Sequence, residues 1–128
     1  MRNLVVWIIL LVVGLLVGFI PEYLKANRAE DALKSCTAKS ELADVQRSAA
    51  LTYVAATQLN YGVAAGYAQT FFAEVQKLQA ASSDVSQRDL LTQVLASRDK
   101  ITGDLAKGSA ESVAELQPLV LKLEQAGQ

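Results

Sequence analysis

RSAALTYVAATQLNYGVAAGYAQTFFAE (Arg47–Glu74) decides how this chain folds, because between its two terminal charges lie 26 consecutive uncharged residues in a sequence that is 20% charged overall. No proline interrupts the stretch, and its only glycines are Gly62 and Gly66. Alanine is the commonest residue in it, so helix is the local preference. Leu42, Val45, Ala49, Thr52, Ala56, Leu59 and Val63 recur at alternating spacings of three and four, which puts them on one helix face. Leu51, Ala55, Ala65, Ala68, Phe72 and Val75 supply a second, broader face. Two apolar faces need two packing partners. A second membrane crossing is the competing reading, but Gln58, Asn60 and Gln69 make insertion costly, since amides have no partners in hydrocarbon.

The packing partners lie downstream. Ser82-Ser83-Asp84 favours a turn, and Ser86 followed by Asp89 resembles a capping box. A helix over about 86–107 follows, with Leu90, Leu91, Val94, Leu95, Ile101 and Leu105 inward, and Lys107-Gly108 as its stop, glycine suiting the left-handed cap. A last helix spans about 109–126, with Ser112 and Glu115 as a second box and Val113, Leu116, Val120 and Leu123 as its apolar stripe. Pro118 lies off that stripe and should kink or split the helix on its solvent side. Short connections favour antiparallel neighbours.

Upstream of Arg47 the composition reverses. Glu22–Arg47 carries five acidic and five basic residues, with Glu30/Lys34 and Arg28/Asp31 at helical spacing, and reads as a solvated helical stalk. Its apolar positions are sparse, so a parallel dimer there is open rather than shown by the pattern. Further upstream, Leu4–Ile20 contains no charged side chain, and with its flanks it is long enough as a helix to cross about 30 Å of hydrocarbon. A cleaved signal peptide would end in a small-x-small site, whereas this run ends in Gly18-Phe19-Ile20-Pro21-Glu22. Pro21 is either a kink or the first-turn residue of a new helix.

The expected object is all-α. It comprises a transmembrane anchor (1–21), a charged helical stalk (22–47) and a small antiparallel three-helix bundle (48–128, with helices at about 48–80, 86–107 and 109–126). Within the bundle, Ala55, Ala56, Gly62, Ala65 and Gly66 would allow close backbone approach. The cell membrane is the expected location, single-pass. Lys25, Arg28 and Lys34 after the run outnumber Arg2 before it and favour a cytoplasmic C-terminal domain, although a short N-terminus with one arginine also begins exported signal anchors.

Chemistry is sparse. There is no histidine, so there is neither a Ser/His/Asp system nor an imidazole metal site, and no glycine-rich loop joins a strand to a helix. Net charge is −1 with no basic stripe, which argues against nucleic acid as a partner. No cofactor and no catalytic activity are expected. Cys36, the one cysteine, reads as a small buried thiol or, in an exported protein, as a cross-link between copies. Tyr53, Asn60 and Tyr67 recur every seven residues, which would line three hydrogen-bonding side chains along one helix face, either as an internal network or as an interaction or ligand face.

The segments Gly18-Phe19-Ile20-Pro21-Glu22-Tyr23-Leu24-Lys25-Ala26-Asn27-Arg28, Asn60-Tyr61-Gly62, Phe71-Phe72 and Arg98-Asp99-Lys100-Ile101-Thr102 resemble a group of uncharacterised bacterial proteins with one N-terminal membrane helix and a helical remainder. That resemblance implies an envelope setting and no site residues. The expected partners are the lipid bilayer and either another protein or a second copy, in a membrane-tethered interaction or scaffold module. A membrane-anchored small-molecule sensor and an envelope-spanning coiled-coil partner are the alternatives.

Overall fold

The computed structural model describes the backbone of residues 2–128 and the side chains of residues 3–14 and 26–128. Its elements are α1 (Arg2–Thr57), α2 (Tyr61–Ala81), α3 (Val85–Ala96), α4 (Arg98–Ala106) and α5 (Glu111–Ala126), and no strand occurs among the described residues. The chain forms two compact units, 1–37 and 38–128.

In the first unit Leu4–Val13 are all exposed, although they cover every side of the helix. Among the described residues no helix is long and apolar enough to cross a membrane. Of the Leu4–Ile20 run, the side chains of 4–14 belong to that set, and those of 15–20, like those of Pro21 and the following stalk residues to 25, lie outside it. Residues 26–37 are exposed on every side, and Cys36 is among them, so the expectation of a buried thiol is overturned. It fails because, among the described residues of that unit, none packs against this part of the helix.

In the second unit the expected three-helix bundle is replaced by four antiparallel columns, because the helix predicted over 48–80 breaks at Gln58–Asn60. The end of α1 is closed by a Schellman motif. The Asn60 N–H donates to the Ala55 carbonyl at 2.9 Å and the Leu59 N–H to the Ala56 carbonyl at 3.0 Å. Leu59 takes the left-handed position at φ 60°, where glycine is usual. Asn60 then caps α2, its side chain accepting from the Val63 N–H at 3.5 Å.

Two ties fix the antiparallel pairing of α1 and α2. The Ser48 hydroxyl donates to Glu74 at 2.5 Å and Lys77 pairs with Glu41 at 3.2 Å, so numbers rise on one helix as they fall on the other. The predicted stripe survives up to the break: Leu42, Val45, Ala49, Thr52 and Ala56 are buried. Leu59 and Val63, the next two positions, are exposed because the chain has already turned back. On α2 the buried set is Ala64, Ala68, Phe71, Phe72, Val75 and Leu78, with Phe71 and Phe72 in tilted contact at 4.7 Å between ring centroids. Gly62 and Gly66 do not serve close packing as expected, since a Cβ on either would meet open space.

The third column is α3 followed by α4. Asp84, not Ser86, caps α3, accepting from the Ser86 N–H at 2.9 Å. The predicted 86–107 helix is interrupted at Ser97, where the N–H bonds to the Val94 carbonyl three residues back at 3.2 Å. Leu91, Val94, Ile101 and Leu105 are buried, and the spacing between Val94 and Ile101 puts Arg98 on their stripe. A guanidinium cannot enter the core unpaired, and the tightened turn coincides with this conflict. Its side chain stays 46% exposed.

Gly108 closes α4 as the sequence predicts, at φ 66°, with Ser109 N–H to Asp104 carbonyl at 2.9 Å and Gly108 N–H to Leu105 carbonyl at 3.1 Å. The fourth column, α5, is not split by Pro118, which is exposed and interior to the helix. Its buried stripe is Ser112, Leu116, Leu119 and Leu123, with Val113 and Val120 at the margin. Ser112 is no capping residue; buried, it donates to the Ser109 carbonyl at 2.7 Å. Closure onto α1 comes from Gln46, whose side-chain amide donates to the Leu123 carbonyl at 2.7 Å.

Candidate interaction surface

The three residues singled out by their seven-residue spacing do not share a face. Tyr53 lies on α1, seven residues from Gln46, and so on the flank turned toward α5; it is half-buried against the core. Asn60 stands in the turn, exposed, and its side chain is committed to capping α2. Tyr67 lies on α2 seven residues before Glu74, and so on the flank turned toward α1, 38% exposed. Chain reversal at Leu59 removes the geometry that a continuous helix would have given them. A pocket built on these three is therefore not formed.

What the reversal produces instead is an apolar surface at the turn. Leu51 and Val54 on α1, Leu59 in the turn, and Val63 and Tyr67 on α2 are all exposed, Leu59 the most at 71%. The antiparallel register set by Ser48–Glu74 and Glu41–Lys77 brings Leu51 and Val54 level with Tyr67 and Val63 to within about a helical turn. No charge is available between Arg47 and Glu74 to break this surface. Scattered exposed hydrophobics are ordinary, but five grouped around one uncharged turn are the usual mark of a contact surface.

Leu59 makes the surface more pointed. A left-handed conformation costs an L-residue roughly 1–2 kcal/mol, and the side chain recovers little of it by burial when it is 71% exposed. Strain of this kind is found where function holds a residue in place. The apolar spacing of the sequence puts Leu59 and Val63 in the core, because both continue the α1 stripe. The signal for the break was Asn60, a preferred capping residue followed by a fresh apolar period.

Two other arrangements carry polar groups. Between α2 and α4 a surface cleft of about 230 Å³ is lined by Gln69, Phe72, Ala73, Gln76, Arg98 and Thr102. It lies where Arg98 replaces a core side chain. Farther along, Lys100 pairs with Asp104 at 3.1 Å and with Glu115 of α5, tying the third column to the fourth. The second carboxylate oxygen of Glu115 is buried without a hydrogen-bond partner. This triad bridges helices; among the described residues no group of carboxylates, cysteine or histidine has the makings of a metal site.

No protein family model matches the chain, and neither a curated protein nor a solved structure matches it.

Proposed function

We propose that this protein is a membrane-tethered helical interaction module without catalytic activity, whose bundle binds a protein partner through the apolar surface at the α1–α2 turn. The observation that carries the reading is Leu59, an apolar side chain held outward at 71% exposure by a backbone conformation that works against it. Leu51, Val54, Val63 and Tyr67 extend the surface around it. A partner that buried these side chains would gain on the order of 25 cal/mol for each Å² of apolar area removed from water.

The tether in this proposal is the Leu4–Ile20 run. Its support is the sequence itself, seventeen residues without a charge, together with the exposure of Leu4–Val13 on all sides, a surface that water does not tolerate on a helix. The cell membrane of a bacterium is the proposed setting, with the bundle on the cytoplasmic side. A small-molecule sensor working through Tyr53, Asn60 and Tyr67 has no comparable support, since the three point to different surroundings.

The test is site-specific photocrosslinking in cells that make the full chain, followed by membrane fractionation and protease treatment of intact and opened cells. A photoreactive residue at Val63 should capture one protein partner, and one at Lys122 on α5 should not. Equal capture at both positions, or none at Val63, would remove the turn as the binding surface. Recovery of the chain in the soluble fraction would separately remove the tether.

A further inference from the structure

Arg98 stands where the stripe of the third column calls for an apolar residue. Leu91, Val94, Ile101 and Leu105 are buried, and spacings of three, four, three and four run through position 98. An apolar side chain there would close the column against Phe72 and Ala73 of α2, whereas the arginine leaves the cleft of about 230 Å³ between α2 and α4. Its floor is apolar, since Phe72 is buried. Its walls are polar. Gln69 and Gln76 lie two turns apart on α2, about 10 Å along the axis, with Phe72 and Ala73 between them. Arg98 and Thr102 stand one turn apart on α4.

Most of the hydrogen-bonding capacity around this cleft is unspent. The Thr102 hydroxyl is committed to its own helix, donating to the Arg98 carbonyl at 2.7 Å and the Asp99 carbonyl at 3.2 Å. Among the described residues, the side chains of Gln69 and Gln76 make no hydrogen bond within the chain, and the Arg98 guanidinium makes one, from Nε to Asp99 at 3.1 Å. Asp99 is 89% exposed, so that pair is screened by water, and the two terminal nitrogens of Arg98 have no acceptor in the protein. No carboxylate lines the cleft. Glu74, the one acid of α2, is turned instead to Ser48 of α1.

We propose that this cleft binds a small monocarboxylate. The terminal N–H groups of Arg98 donate in parallel to its two oxygens, the Gln69 and Gln76 amides reach its flanks, and its apolar body rests on Phe72. A planar guanidinium fork matches a carboxylate, and a single cation balances a single negative charge. The volume lies below the roughly 300–1,000 Å³ of sites for drug-sized ligands, so the body must be short. A free acid and the terminal residue of a peptide carry this same chemistry. The site uses none of the residues of the turn surface.

The probe is para-fluorobenzoate, titrated against the full chain in neutral-detergent micelles and followed by fluorine NMR, with protein-free micelles as the baseline and para-fluorobenzamide as the uncharged isostere. Benzoate binding should saturate, and the benzamide should bind about tenfold more weakly or worse. Arg98→Met should weaken the benzoate about ten- to a hundredfold and bring the two probes together. Arg98→Lys should recover only part, because an ammonium lacks the fork. Ala73→Leu, which fills the cleft while leaving Arg98 in place, should abolish binding, and Arg88→Met on α3, outside the cleft, should not change it. Positions 73 and 98 are both exposed, so the bundle tolerates either change. Equal binding of the two probes, no saturation above the micelle baseline, or unchanged binding in Arg98→Met or in Ala73→Leu would each overturn the proposal. Displacement of the probe by N-acetylphenylalanine would assign the site to a chain terminus, and displacement by unlabelled benzoate alone to a free acid; either supports it.

Discussion

Replacing Leu59 tests the break that defines the bundle, and the informative comparison is Leu59→Gly against Leu59→Ala. Both remove the same exposed side chain, so whatever burial Leu59 retains is lost equally from each. They differ in the backbone. In an ordinary helix interior, glycine is less stable than alanine by about 0.5–1 kcal/mol because the unfolded chain gains more freedom. At φ 60° the order inverts: alanine bears the left-handed cost of roughly 1–2 kcal/mol and glycine does not. The difference leaves Leu59→Gly more stable than Leu59→Ala by about 0.5–1 kcal/mol. For a unit of this size that corresponds to roughly 2–8 °C in Tm. Urea unfolding of the full chain in detergent micelles, followed by tyrosine near-UV circular dichroism, would resolve it. Alanine equal to or better than glycine would refute the left-handed turn, and with it the four-column arrangement.

The other expectations concern single sites. Leu116→Ala, at a fully buried position, should cost about 2–5 kcal/mol in the same unfolding assay, while Leu121→Ala, at an exposed position on the same helix, should stay within about 0.5 kcal/mol. Gly66→Ala, where a Cβ meets open space inside α2, should stabilise by about 0.5–1 kcal/mol, read as a raised urea midpoint with unchanged slope. Asp84→Ala removes a 2.9 Å cap and should cost about 1 kcal/mol; Asn60→Ala, whose cap is long at 3.5 Å, should cost less, and the opposite ranking in paired melts would contradict the cap geometry. Lys100→Met strands Asp104 and Glu115 across the α4–α5 contact and should destabilise by about 1–3 kcal/mol, with Lys100→Arg recovering most of the loss in thermal scans.

Much of the bundle was legible where side-chain type and backbone demand agree. Gly108 could be read as a helix stop because the residue that tolerates the left-handed region stands there. Leu42, Val45, Ala49, Thr52 and Ala56 could be read as a buried face because an α-helix repeats every 3.6 residues. The α1–α2 turn hid for the opposite reason. A leucine occupies the left-handed position, and the apolar spacing runs on through Leu59 and Val63 as though the helix continued. Periodicity in sequence cannot register a reversal when the residues beyond it stay in phase. The candidate site failed with it: Tyr53, Asn60 and Tyr67 share a face only on an unbroken helix. On α5 the stripe centred one residue away from Val113 and Val120 because Ser112, small and able to bond its hydroxyl to the Ser109 carbonyl, enters the core in place of an apolar residue.

The hydrogen bond from Gln46 to the Leu123 carbonyl joins residues 77 apart in sequence, whereas the other side-chain hydrogen bonds and ion pairs between columns, among the described residues, link neighbours along the chain. Loop closure grows costlier with length, though slowly, and is repaid only when the distant faces meet. The α1–α2 hairpin and the α2–α3 corner are therefore expected to form early from local encounters, and the docking of α5 late. By the same reasoning α5 is the column expected to open first in the native ensemble, with amide exchange faster there than in α2.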